Sequence, residues 1–171
     1  MRRGVAQRVA LSGVLTALMM VLGLVERQFP LPIGIPGVKL GLANSVLLYG
    51  VYMLGAKQTF ILMLLKTALS WFIYSNLQAV VYSFCGGALS LAAMLLTHKF
   101  AGTSEVGVSI CGAVFFNVGQ ILAAVIQLNT PQLFFTYLPV LMVAAVITGI
   151  LTGTIARLVM RHMRSMMKKY Y

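Results

Sequence analysis

Lys66 is the residue of this 171-residue chain whose type and position most directly suggest chemistry. It lies inside an apolar run, nine residues after Lys57, or roughly 13 Å along a helix rising about 1.5 Å per residue. That depth is close to the midplane of a hydrocarbon core about 30 Å thick, too deep for easy snorkelling. The ammonium must therefore face a partner group, a bound anion or a watery cavity. Thr59, Met63, Lys66 and Ser70 recur at helical spacing and give this run a partly polar face. One reading is a lysine whose charge is neutralised by substrate; the other is a structural lysine satisfied by carbonyls or a neighbouring amide. Both stand at this point.

A second polar stripe runs through Ala113, Asn117, Gln120, Ala124 and Gln127, where small residues alternate with amides that both donate and accept. Such amides either glue helices together or line a cavity, and three on one face favour the cavity. Gln78 and Tyr82 join the candidates by position, near the end of an apolar run that also carries the small-residue patch Ser83, Gly86, Gly87 and Ser90. The last two candidates, Lys39 and Asn44, belong to the stretch PLPIGIPGVKLGLAN, residues 30–44, which holds three of the five prolines. It reads as a shaped lid over a small-molecule site. Lys39 and Asn44 are about 140° apart around a regular helix, so only one of them can face a common site unless Lys39 precedes the helix. The candidate binding set is thus Lys39, Asn44, Lys66, Ser70, Gln78, Tyr82, Asn117 and Gln120.

Catalytic chemistry is poorly supplied. The chain has two carboxylates, Glu26 and Glu105, and no aspartate-rich cluster to hold magnesium against a diphosphate. His98 and His162 have no matching nucleophile or carboxylate in sequence, and no phosphate-binding Walker motif is present. Cys85 and Cys111 fall at depths near opposite membrane faces, which disfavours a disulfide, and no metal-ligand spacing occurs. The expectation is a binding or transport subunit with no catalytic residues, no metal and no cofactor.

The elements that must position these residues follow from composition. With 60% hydrophobic and 9% charged residues, the chain has too little polar surface for a soluble globule of its size. It reads as a single all-α integral membrane domain over residues 1–171. Pro, Gly, Asn and charge clusters divide it into six spans, near residues 5–25, 40–54, 58–73, 78–96, 106–128 and 137–160. The first is read as an uncleaved helix, since it lacks a clear cleavage site. The second and third are short and separated by a tight Gly55–Lys57 hairpin. The net charge of +11 gathers at the ends of these runs, which reflects topology and not nucleic-acid binding. Arg2, Arg3, Arg8, Lys57, Lys99, Arg157, Arg161, Arg164, Lys168 and Lys169 share one side, which the positive-inside rule makes the cytoplasm of a multi-pass cell-membrane protein with both termini inside. The Pro30–Asn44 stretch then faces outward.

Ala6, Ala10, Gly13 and Ala17 form a narrow small-residue face on the first span, a groove that a partner helix can enter. Gly149 and Gly153 repeat the device in the last span.

PGVKLGLAN after the first helix, SFCGGALS (Ser83–Ser90) and FNVGQ (Phe116–Gln120) resemble the Gx transporter family, often labelled heptaprenyl diphosphate synthase component I. That family is similar to the substrate-binding S components of energy-coupling factor transporters. The resemblance implies a six-helix subunit with a substrate site near the outer face, capped by the loop after the first helix. It further implies docking through Ala6, Ala10, Gly13 and Ala17 onto a transmembrane coupling subunit and a pair of ATPases. The expected function is ATP-driven uptake of a small anionic or polar-aromatic metabolite. The alternative is a membrane accessory subunit that binds lipid-like isoprenoid diphosphates or quinone precursors.

Overall fold

The computed structural model describes residues 5–28, 41–74, 77–100 and 102–170. Six helices form: α1 (Val5–Gln28), α2 (Leu42–Met53), α3 (Ala56–Tyr74), α4 (Leu77–Phe100), α5 (Glu105–Leu128) and α6 (Gln132–Tyr170). No strand occurs among the described residues. The turns carry the chemistry that ends helices. Gly55 takes φ +86° between α2 and α3, Asn129 takes φ 49° after α5, and Ser104 accepts the Gly107 N–H at 3.3 Å to cap the start of α5.

Four helical segments, Val9–Glu26, Val80–Phe100, Glu105–Leu128 and Phe134–His162, are long and apolar enough to cross a membrane. The chain therefore reads as a membrane protein. The other two helices differ from the simple picture of six equivalent spans. With 12 residues, α2 is only about 18 Å long, short of a hydrocarbon core of about 30 Å. The 19-residue α3 carries Lys57, Gln58 and Lys66, which lower its hydropathy.

Instead of facing lipid, α2 is the hub. It packs against all five other helices, while among the described residues α1 touches α2 and α3, and α6 touches α2 and α5. Seven of its residues, Ala43, Asn44, Val46, Leu47, Leu48, Gly50 and Val51, are buried. Around them gather Leu15 and Met19 of α1, Leu62 and Met63 of α3, Leu91 and Met94 of α4, Val108 of α5, and Ala156 and Met160 of α6. The outward faces stay apolar, with Val14, Phe72, Ile126, Phe135 and Ile147 exposed, as suits a lipid-facing surface.

Close approaches fix the register. A Cβ at Gly119 would lie 2.6 Å from the Cys85 carbonyl oxygen, and one at Gly149 would lie 2.7 Å from the Ile110 Cα, so α4, α5 and α6 meet backbone to backbone at glycines. Ser109 and Thr152 hydroxyls, 3.1 Å apart, add a hydrogen bond between α5 and α6. Consecutive helices alternate in direction. Gln58 Nε2 donates to Ser12 Oγ at 3.5 Å and Tyr52 packs on His98 at 4.3 Å, while Arg157 Nε lies 3.7 Å from Glu105 Oε2. These contacts set the start of α1 and the later part of α6 at the same end of the bundle as the α2–α3 and α4–α5 turns.

The helix boundaries match the expected spans closely except in α6, which continues to Tyr170 and not to Met160. The apolar run ends near Met160, but residues 154–171 hold no Gly or Pro to stop the helix.

Candidate functional site

The short α2 defines the site. A Cβ at Gly50 would sit 2.8 Å from Thr59 Oγ1, which sets α2 against α3. Seven residues further along α3 comes Lys66, and a similar rise back along antiparallel α2 reaches Ala43 and Asn44, about 10 Å in each case. Gly87 against Met63 makes Phe84 of α4 level with Lys66, and Gly119 against Cys85 and Gly86 brings Gln120 of α5 to the same height. Asn44, Lys66 and Gln120 therefore occupy one layer, on three different helices. Beyond it α3, α4 and α5 run on to Tyr74, Leu77 and Leu128, roughly 10–12 Å past that layer.

Asn44 is buried, 8% exposed. It lies toward the end of the helix: Nδ2 would be 3.8 Å from a Cβ at Gly41, the residue before α2, which takes φ +72°. Gly41 supplies no side-chain cap. The first amide of α2, Leu42 N–H, is instead accepted by Glu26 Oε1 from the end of α1. This use of Glu26 could not be found from sequence spacing, since the partners are sixteen residues apart across a Pro/Gly stretch.

Lys66 is half-buried and engaged in an interaction of its own. Ser70, one turn on, is buried, donates to the Lys66 carbonyl at 2.8 Å and lies 3.8 Å from Met20 Sδ of α1. The polar face expected of α3 thus points inward, Thr59 and Met63 being buried with it.

The amide stripe of α5 divides. Asn117 Nδ2 donates to the Leu141 carbonyl of α6 at 3.0 Å, whereas the Gln120 side chain lies by Gly86 of α4, where an added Cβ would meet its Cγ at 2.9 Å. Asn117 acts as interhelical glue through its NH2 group, and Gln127, further along, is exposed. Gln78 is exposed and Tyr82 half-buried, both on the part of α4 that extends past the start of α2. Lys39 lies outside the described residues. Among the described residues no three His, Cys, Asp or Glu side chains gather to hold a metal.

On α1, Ala10, Gly13 and Ala17 are exposed, and a Cβ at Gly13 would meet nothing within 4 Å. Among the described residues nothing packs at Gly13, unlike the glycines of α4, α5 and α6. Ala6 opens the same stripe in the first turns of α1.

Residues 15–159 match the family described as heptaprenyl diphosphate synthase component I. The chain belongs to this family. The match in this component I protein runs from Leu15 in α1 to Val159 in α6, so it takes in the layer of Asn44, Lys66 and Gln120 and ends near Met160, the last core residue of α6. No curated protein and no solved structure matches the chain.

Proposed function

We propose that this protein is a membrane-embedded capture subunit that binds a small anionic or polar-aromatic metabolite above the start of α2 and serves a separate, ATP-driven partner. The observation that carries the reading is the layer beneath the ends of α3, α4 and α5. It holds Asn44, a buried amide at the start of the central helix, level with Lys66 and Gln120. A carboxamide at the start of α2 can both donate and accept, so together with a lysine and a second amide at the same height it suits a ligand entering from this end. Lys66 would supply positive charge, Gln120 and Tyr82 polar edges, and the Pro30–Asn44 stretch, Lys39 included, the gate.

In this reading the chain is not itself an enzyme. Both carboxylates have structural tasks, Glu26 at the Leu42 N–H and Glu105 beside Arg157, at opposite ends of the bundle. It sits in the cell membrane with both termini cytoplasmic, and the coupling subunit and ATPase pair dock on the Ala6, Ala10, Gly13 and Ala17 face.

The family description favours a second reading, an accessory subunit that presents an isoprenoid diphosphate to a partner component of a heptaprenyl diphosphate synthase. Native mass spectrometry of gently purified protein separates the two. Capture predicts a retained polar small molecule that Asn44→Ala loses, with ATPase subunits recovered alongside. A retained isoprenoid diphosphate with a prenyl-synthase partner supports the second reading. Protein carrying phospholipid alone, with neither partner, counts against both.

A further inference from the structure

Among the described residues the core of the bundle ends on α6 at Met160, and the family match stops at Val159. The stretch of α6 past Met160 is helical through Tyr170 and carries Arg161, Arg164, Lys168 and Lys169. Together with Arg157, positions 161, 164 and 168 fall within an arc of about 60° on a helix, so the basic residues form a stripe and not a scatter. The same end of the molecule exposes Lys57, Lys99 and Arg161. Acidic groups in the chain cannot balance this charge. Glu105 already lies beside Arg157, and Glu26 is at the other end of the bundle.

Depth identifies what can balance it. Among the described residues, exposed large apolar side chains continue along α6 to Leu158 and Val159, and the hydrocarbon boundary is placed there. Arg161 then comes about 3 Å further along the axis, Arg164 about 8 Å, and Lys168 and Lys169 about 14–15 Å. A headgroup layer is roughly 5–8 Å thick, and its negative field reaches about one Debye length, near 10 Å, beyond that. By axial position, residues 161–169 fall within the headgroup layer and the reach of its field. We propose that the α6 extension is an electrostatic anchor held by anionic phospholipid headgroups.

The test uses the full chain in nanodiscs of phosphatidylcholine alone or of phosphatidylcholine mixed with phosphatidylglycerol, read by hydrogen exchange of the amides of residues 161–170. Each basic residue near an anionic surface contributes on the order of a fivefold factor, so the anionic lipid should slow exchange at least about tenfold at low salt. High salt should abolish the slowing. The R161Q/R164Q/K168Q/K169Q variant should exchange alike in both bilayers, and K168R/K169R should keep the lipid dependence. Equal exchange of the native protein in the two bilayers overturns the proposal. So does slowing that survives in the four-glutamine variant, or protection that arises only in native membranes and so belongs to a protein partner.

Discussion

Glu26 and Leu42 close the start of α2: the carboxylate at the end of α1 accepts the first backbone N–H of the central helix. A negative group at this position satisfies an otherwise orphan donor and complements the helix dipole. Because α2 touches every other helix, the contact bears on the whole bundle. Replacing Glu26 with Ala should cost about 1 kcal/mol, a fall in melting temperature of about 2–4 °C. Glu26→Gln keeps an acceptor oxygen and should lose less. Thermal unfolding in one detergent compares them, and equal losses would show that the acceptor is not what matters.

The glycines of α5 and α1 should respond in opposite ways. At Gly119 an added methyl would press on backbone atoms, 2.6 Å from the Cys85 oxygen and 2.8 Å from the Gly86 Cα, so α4 and α5 must separate. Gly119→Ala should destabilise by about 1–3 kcal/mol. Gly13 has open space, and Gly13→Ala should be neutral or stabilise by up to about 1 kcal/mol through helix propensity. Unfolding midpoints of the two variants make the comparison, and a loss at Gly13 matching that at Gly119 would contradict the packing described.

Gly13→Leu extends this to assembly. A leucine there leaves the bundle intact but fills the small-residue groove with a side chain that keeps a second helix at a distance. Recovery of membrane partners on mild solubilisation should fall while the melting temperature holds. Undiminished recovery would remove this face from the docking surface.

Much of this architecture was legible in the sequence. Gly55, read as the turn between the second and third spans, reverses the chain there in the structure with φ +86°. Two features were not. Hydropathy reports where a segment meets lipid, not where a helix ends, so α6 ran ten residues past the expected stop at Met160. Nor does hydropathy separate an apolar helix facing lipid from one facing protein, so nothing marked α2 as the hub. In the site, the inward polar face of α3 followed from spacing alone, because i, i+4 and i+7 positions share a side by geometry. The division of Asn117 from Gln120 did not. They sit 60° apart on α5, and only the neighbouring helices determine that one meets the Leu141 carbonyl and the other Gly86.

That division yields a separable pair. Asn117→Leu removes the interhelical hydrogen bond and should cost about 0.5–1.5 kcal/mol with ligand retention preserved, in line with the modest worth of such bonds in membranes. Gln120→Leu should show the reverse, weakened retention at unchanged stability. Melting curves and native mass spectrometry on both variants provide the check. Lost retention in Asn117→Leu without loss of stability would return Asn117 to the binding set.

Lys66 gives the sharpest test of the layer above α2. Lys66 is half-buried midway along α3, and a charge there is bearable only with compensation. Lys66→Met keeps most of the apolar stem and removes the charge, so packing against Met63 and Ser70 should survive and the melting temperature should hold or rise slightly. If the charge serves a bound anion, affinity should fall by about tenfold or more, since a charge-assisted hydrogen bond contributes roughly 1.5–3 kcal/mol. Lys66→Arg should retain part of the binding, because the charge remains while the compact ammonium geometry is lost. Isothermal titration in detergent with the ligand recovered by mass spectrometry measures all three proteins. Unchanged affinity in Lys66→Met together with a lowered melting temperature would make the lysine a structural element of α3, leaving Asn44 and Gln120 to carry recognition.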